Sequence, residues 1–245
     1  MISVAALYRY PVKTMLGCGV TRTSVAVAGV TGDRRWALKD VEADDFYLGK
    51  RLPELMAWTA QEDNSTLPAR PMVTLTSPDG IQISSASTDV DATLSELLKH
   101  KVKLCYAPQS LDMGGQTAAA FFDDMPLLIM TTNSLAALSR QAPASNFDIR
   151  RFRPNILLDC SSMETDVPER DWPGKQLQVG TATLTITSAC PRCRMTTHGF
   201  SDLPEDKNIL AVLQAEHESC LGVYAKVTKV GDIEVGDQGD WINET

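Results

Sequence analysis

Cys190-Pro191-Arg192-Cys193 is a CxxC whose second thiol has Arg192 and Arg194 as direct chain neighbours. Cations at that range favour the thiolate over the thiol. A single thiolate is a good soft ligand for a metal brought in by a cofactor. Three other readings share the spacing. Disulfide exchange needs a helix starting at the first cysteine, yet a strand pattern precedes it and Met195-Thr196-Thr197-His198-Gly199 makes a poor helix after it. A zinc knuckle over Cys190, Cys193 and His198 would want its fourth ligand near Leu203, which cannot coordinate, and the chain holds only 3 His. The fourth reading is a pair of structural thiols.

The arginines form a second signal. Arg150, Arg151 and Arg153 stand just before Asn155, and on a strand Arg151 and Arg153 would share one face. They read either as a surface ion-pair patch or as a phosphate clamp, since a guanidinium matches phosphate geometry bidentately. Thr131-Thr132-Asn133-Ser134 lies between an apolar run and a helical pattern. It is either an ordinary N-cap or a turn aiming hydroxyls and N–H groups at an anion. Nearer the N-terminus, Tyr10-Pro11-Val12-Lys13-Thr14 sets a lysine beside a hydroxyl, and Gly32-Asp33-Arg34-Arg35-Trp36 sets Arg34 beside a carboxylate.

The elements that must position these groups are mostly short strands. Ile2–Tyr8, Thr21–Val27 and Arg35–Lys39 are apolar or alternating runs cut by Gly and Pro. Ser77-Pro78-Asp79-Gly80 predicts a hairpin between Val73–Thr76 and Ile81–Ser84. A helix is expected over Asp89–Lys99, where Leu94, Leu97 and Leu98 share a face. Further strands are expected at Pro126–Met130, after Pro154, at Gln176–Val179, Ala182–Ile186 and Leu221–Val230, with helices over Ser134–Arg140 and Asn208–Glu218. This pattern predicts a mainly β protein with a few helices, of barrel or sandwich type. The break is placed after the Ser-rich 84–87 stretch, giving domains 1–95 and 96–245.

Composition bounds the function. The 245 residues carry a net charge of −8, which disfavours nucleic acid and anionic membranes as partners. Five arginines nonetheless fall in the two short segments 150–153 and 192–194, while acid gathers in Asp40–Asp45 and the C-terminal tail. That placement suits one small anionic ligand. Six cysteines are too sparse for a disulfide scaffold at this length. The first residues lack the features of a signal peptide and no apolar run is long enough to span a bilayer, so the expected compartment is the cytoplasm.

Taken together, Tyr10-Pro11-Val12-Lys13, Gly32-Asp33-Arg34, Phe152-Arg153-Pro154-Asn155-Ile156, the Cys190–Cys193 loop with Thr196-Thr197, and Val235-Gly236-Asp237 resemble the MOSC family, named after the C-terminal domain of molybdenum-cofactor sulfurases. The first two segments resemble the smaller N-terminal β-barrel module that accompanies many MOSC β-barrel domains. Within the family, the similarity is to the mitochondrial amidoxime-reducing and bacterial N-hydroxylated-compound-reducing members. The resemblance implies a pyranopterin molybdenum cofactor with Cys193 as its metal ligand and catalytic residue. It implies cofactor contacts from Lys13, Thr14, Arg34, Thr132, Asn133, Ser134, Arg153, Asn155 and Arg192. Thr14 stands where the family often has Ser, and both supply a hydroxyl. A family-level association with pyridoxal phosphate comes with the same resemblance. The implied reaction reduces hydroxylamines and amidoximes. With no cluster-type cysteine run, electrons are expected from a separate protein. Sulfur transfer through a Cys193 persulfide and a non-catalytic cofactor carrier are the alternatives.

Overall fold

The structure, a computed structural model, describes residues 1–46, 51–63, 71–107, 120–200 and 202–242. Strands dominate, as the alternation and turn signals predict. The described helices are α1 (Val90–Leu98), α2 (Thr132–Gln141) and α3 (Asn208–Glu216). The chain divides into two compact units. One holds Met1–Tyr8, Gly19–Thr31 and Asp124–Thr245, the other Arg9–Cys18 and Gly32–Asp123.

The first unit is built on a closed ring of strands. These are β1 (Ile2–Arg9), β2 (Leu127–Thr131), β3 (Ile156–Asp159), β4 (Gln176–Val179), β5 (Ala182–Pro191), β6 (Cys220–Lys229) and β7 (Gln238–Ile242). Their order is β3-β2-β6-β5-β4-β7-β1, and β1 pairs back onto β3. Closure leaves no open sheet edge in the ring. The pairs are antiparallel except β2 with β3. A parallel pair needs a crossover, and α2 supplies it on the outer face.

The inner face explains the alternation in the sequence. Ile2, Val4, Leu127, Ile129, Leu184, Ile186, Val223 and Ala225 fill the barrel. Met130, Leu138, Phe152, Ile209 and Leu213 form a second cluster beneath α2 and α3. This is why β2 is buried on both faces and reads as a continuous apolar run. At Gly222 the backbone takes φ 74°, and a Cβ there would lie 2.6 Å from the Ile129 carbonyl oxygen, so only glycine fits.

The second unit has its own core around Trp36, Leu38, Leu75, Leu94 and Leu104. Its hairpin joins Met72–Thr76 to Gln82–Ser84. Ser77 closes the turn by accepting the Ile81 N–H on its hydroxyl (3.1 Å) and the Gly80 N–H on its carbonyl (2.9 Å). The boundary placed between residues 95 and 96 falls inside α1. That helix is fastened to the strand after it: the Asp91 carboxylate accepts the Leu104 N–H at 2.8 Å, and the Ser95 hydroxyl accepts the Val102 N–H at 3.0 Å.

Candidate functional site

In the first unit, β5 delivers the cysteine loop directly. The strand ends at Pro191, opposite Cys220 at the start of β6. Arg192 and Cys193 follow, and Arg194–Thr197 close into a single 3-10 turn. The Cys193 carbonyl accepts both the N–H and the hydroxyl of Thr196, each at 3.1 Å. The Cys193 thiol is exposed, while Cys190 is buried within the strand. Tyr224 lies beside Cys190, and burial together with that thiol pushes its phenol well above the usual range, so it stays neutral. A strand therefore precedes the motif, as expected, and no full helix begins at it.

The arginines divide by role. Ile149–Arg151 form a 3-10 turn. The strand on which Arg151 and Arg153 would have shared a face begins only at Ile156, because Asp148 caps the turn and Pro154 intervenes. Arg150 is ion-paired with Asp148 and Asp202, both at 2.8 Å, and these carboxylates push its guanidinium further up. It fits the ion-pair reading. Arg151 is buried, and among the described residues its guanidinium donates to backbone carbonyls. Arg153 is buried at φ 57°, next to Phe152.

Arg192 donates from Nε to the Leu221 carbonyl and from Nη1 to the Phe152 carbonyl, both at 2.9 Å, and from Nη2 to the Met130 sulfur at 3.4 Å. The loop carrying Cys193 is thereby joined to β2, to β6 and to the chain just before Arg153. Asn155 is fully buried and bridges strands: its side-chain oxygen accepts the Leu128 N–H at 3.2 Å, and its Nδ2 donates to the Tyr8 carbonyl at 3.5 Å.

The Thr132-Asn133-Ser134 turn lies at the same end of the barrel, since the end of β2 adjoins the start of β6 and the end of β5. Thr131 caps α2 by accepting the Ser134 N–H at 3.2 Å. Its hydroxyl donates to the buried Glu169 at 2.7 Å, and the Ser134 hydroxyl donates to the same carboxylate. Thr132 donates to Asp159 (3.2 Å) and Asn133 to the Thr165 carbonyl (3.0 Å). Thr132 and Asn133 also line a cleft of about 490 Å³ with Arg140, Met163 and Asp166. Glu169 is the residue that sequence reasoning missed. It sits on a separate turn, Pro168–Asp171, with no local motif around it. Burial pushes its carboxyl up, and the two hydroxyl donors pull it back only in part.

In the second unit, segments 10–14 and 33–36 run side by side through a parallel bridge between Val12 and Trp36. Lys13 donates to the Phe121 carbonyl at 3.2 Å and pairs with Asp123. Arg34 pairs with Asp33 and stands 5.1 Å from the Tyr10 ring centroid. Asp33 also accepts the Tyr10 N–H at 2.7 Å, so one carboxylate fixes both segments. Thr14 is buried at φ 74°. Lys13, Thr14 and Arg34 are thus gathered within this unit.

Among the described residues, no three His, Cys, Asp or Glu side chains gather where they could hold a metal ion. A metal held at Cys193 would have to bring its other ligands with it. That fits a cofactor carrying its own sulfur donors better than a zinc knuckle.

Comparison with known proteins identifies the family. The model for the MOSC N-terminal beta barrel domain matches residues 1–125, and the MOSC domain model matches residues 116–239. Mitochondrial amidoxime reducing component 2 of Macaca fascicularis is 26% identical over 282 residues, covering 96% of this chain and 82% of that protein. Its counterpart of Homo sapiens is 32% identical over 142 residues, covering 52% of this chain and 40% of that protein. The crystal structure of the YUAD protein from Bacillus subtilis covers 98% of this chain with a TM-score of 0.51 and 11% identity, a likeness of fold alone. With a closed β-barrel, the cysteine loop at its end and both family models matched, the chain belongs to the MOSC domain family.

Proposed function

We propose that this protein is an oxidoreductase that binds the pyranopterin molybdenum cofactor and reduces N-hydroxylated compounds, with Cys193 as the protein ligand to molybdenum. The observation that carries the reading is the Cys193 loop: one exposed thiol, chain-adjacent to two arginines, fixed at the end of a barrel. The relatives named amidoxime reducing component support amidoximes as the substrate class, and the family resemblance adds hydroxylamines.

When bound, the cofactor supplies the two-electron chemistry that removes the N–OH oxygen as water. The residues of this chain do the rest. Cys193 offers its sulfur to the metal from backbone held by Thr196. Arg192, next to Cys193 in the chain, and Arg153, one residue past the Phe152 carbonyl that Arg192 bonds, would supply positive charge suited to the cofactor's anionic end. Thr132 and Asn133 lie at the cleft at the same barrel end. Asn155 and Ser134 act by holding the frame, through Leu128 and Glu169. Lys13, Thr14 and Arg34 enter the proposal through their match to the family motif.

The net reaction takes two electrons and two protons per N–OH group and releases one water. A separate electron-transfer protein is the proposed donor. No described helix is long and apolar enough to cross a membrane.

The test is reduction of benzamidoxime to benzamidine by cofactor-loaded protein with a reduced viologen as donor. Turnover that disappears in Cys193→Ala and persists in Cys190→Ala is the expected result. Full turnover by Cys193→Ala would sink the assignment. A stable Cys193 persulfide without pterin would favour sulfur transfer, and bound cofactor without turnover would favour a carrier.

A further inference from the structure

Arg151 is buried to within 1% of full exclusion from solvent, and the proposed chemistry gives it no role. Its guanidinium makes no ion pair among the described contacts. Instead it reaches across to the chain that follows Cys193. Nη1 donates to the carbonyls of His198 (2.9 Å) and Thr196 (3.4 Å), and Nη2 donates to that of Pro204 (2.7 Å). Nε donates to Asn146 on its own side (3.0 Å). A buried cation that spreads its donors over four carbonyls, with the Phe200 ring 5.9 Å from its guanidinium carbon, is retained where its fork of donors fixes a shape that packing alone would leave loose.

The chain before Cys193 is fastened the opposite way. There Arg192 reaches back to the Phe152 carbonyl, one residue past Arg151. The segment 146–153 therefore grips the cysteine loop on both sides, receiving one guanidinium and sending out another. Thr196, whose carbonyl Arg151 holds, is the residue that donates twice to the Cys193 carbonyl. We propose that Arg151 is a positioning residue for Cys193, setting the backbone from which the thiol projects. The inference rests on the reading of Cys193 as the functional thiol, but its test does not depend on turnover. Lysine cannot replace it, because one ammonium cannot span carbonyls on residues 196, 198 and 204.

The experiment uses full-length protein prepared without cofactor and measures iodoacetamide modification of each cysteine by mass spectrometry. Cys18, exposed in the second unit, is the internal reference, and buried Cys160 reports global opening. In Arg151→Lys and Arg151→Met, the Cys193-to-Cys18 rate ratio should rise about threefold or more while Cys160 stays protected, the mark of a local opening. Arg150→Gln, which removes the pairs to Asp148 and Asp202 and the Phe200 ring contact but none of the carbonyl bonds of Arg151, should leave the ratio unchanged. An unchanged ratio in Arg151→Lys despite a lowered melting temperature would make Arg151 merely structural and overturn the proposal. An equal rise in Arg150→Gln would overturn it too. A raised ratio with wild-type turnover in loaded Arg151→Lys would leave the positioning intact and count against Cys193 as the catalytic ligand.

Discussion

Replacing Arg192 by methionine separates a brace from a cofactor ligand. Arg192 makes two 2.9 Å hydrogen bonds to backbone carbonyls, of Leu221 and Phe152, and a longer contact to the Met130 sulfur. Hydrogen bonds from a charged donor contribute about 1.5–3 kcal/mol each, and the half-buried setting favours the lower figure, so the two are worth roughly 3 kcal/mol together. Methionine keeps most of the apolar stem, so little packing is lost. At about 2–4 °C per kcal/mol for a chain of this size, the melting temperature should fall by roughly 6–12 °C. Arg192→Lys should lose about half as much, because one ammonium can keep one of the two bonds. The assay is urea unfolding of protein without cofactor, followed by far-UV circular dichroism. A loss below about 0.5 kcal/mol in Arg192→Met would refute the brace, because a residue that serves only a cofactor contributes nothing to stability in its absence.

Other outcomes follow from the same contacts. Burial raises the Glu169 carboxyl, so the native state holds that proton more tightly than the unfolded chain does. Its contribution is therefore fully present in acid and declines as pH rises from the ordinary carboxylate range through the raised one. Glu169→Gln, neutral at every pH, should gain in melting temperature relative to wild type across that window, and a constant difference over a pH series would count against it. Gly222→Ala should destabilise the barrel unit by roughly 2 kcal/mol or more, since it combines a left-handed backbone with a methyl pressed against the Ile129 carbonyl. Denaturant midpoints check this, and a cost under about 0.5 kcal/mol would contradict the close approach seen at that site.

What the sequence shows and what it hides follow from how local each interaction is. The turn at Ser77–Gly80 is written in neighbouring residues and is found where expected, while the strand expected over Ala182–Ile186 begins there and runs on through Cys190 to Pro191. Helix α1 was legible for the same reason, since its apolar face and its flanking Asp89 and Lys99 are contiguous. The composition of the barrel unit was not legible. It joins Met1–Tyr8 and Gly19–Thr31 to residues beyond Asp124, and such long-range pairing leaves no local mark. Arg151 and Arg153 looked alike by spacing, but their roles depend on the Asp148 cap and on carbonyls some fifty positions on, such as that of Pro204. Glu169 was invisible because its partners, Thr131 and Ser134, are remote in the chain. In the site itself, residue types pointed to a cysteine beside positive charge. Only the fold shows that Arg151 and Arg192 are committed to backbone carbonyls that brace the loop.

The most direct measurement is metal and pterin analysis of wild-type protein and Cys193→Ala, both made in a host competent for molybdenum-cofactor synthesis. The expected result is about one molybdenum and one pterin per chain in the wild type, the ratio for a single cofactor site. Molybdenum should be strongly reduced in Cys193→Ala, with the fold intact by circular dichroism. Zinc without pterin in the wild type, or equal molybdenum in both proteins, would contradict the assignment of Cys193 as the metal ligand.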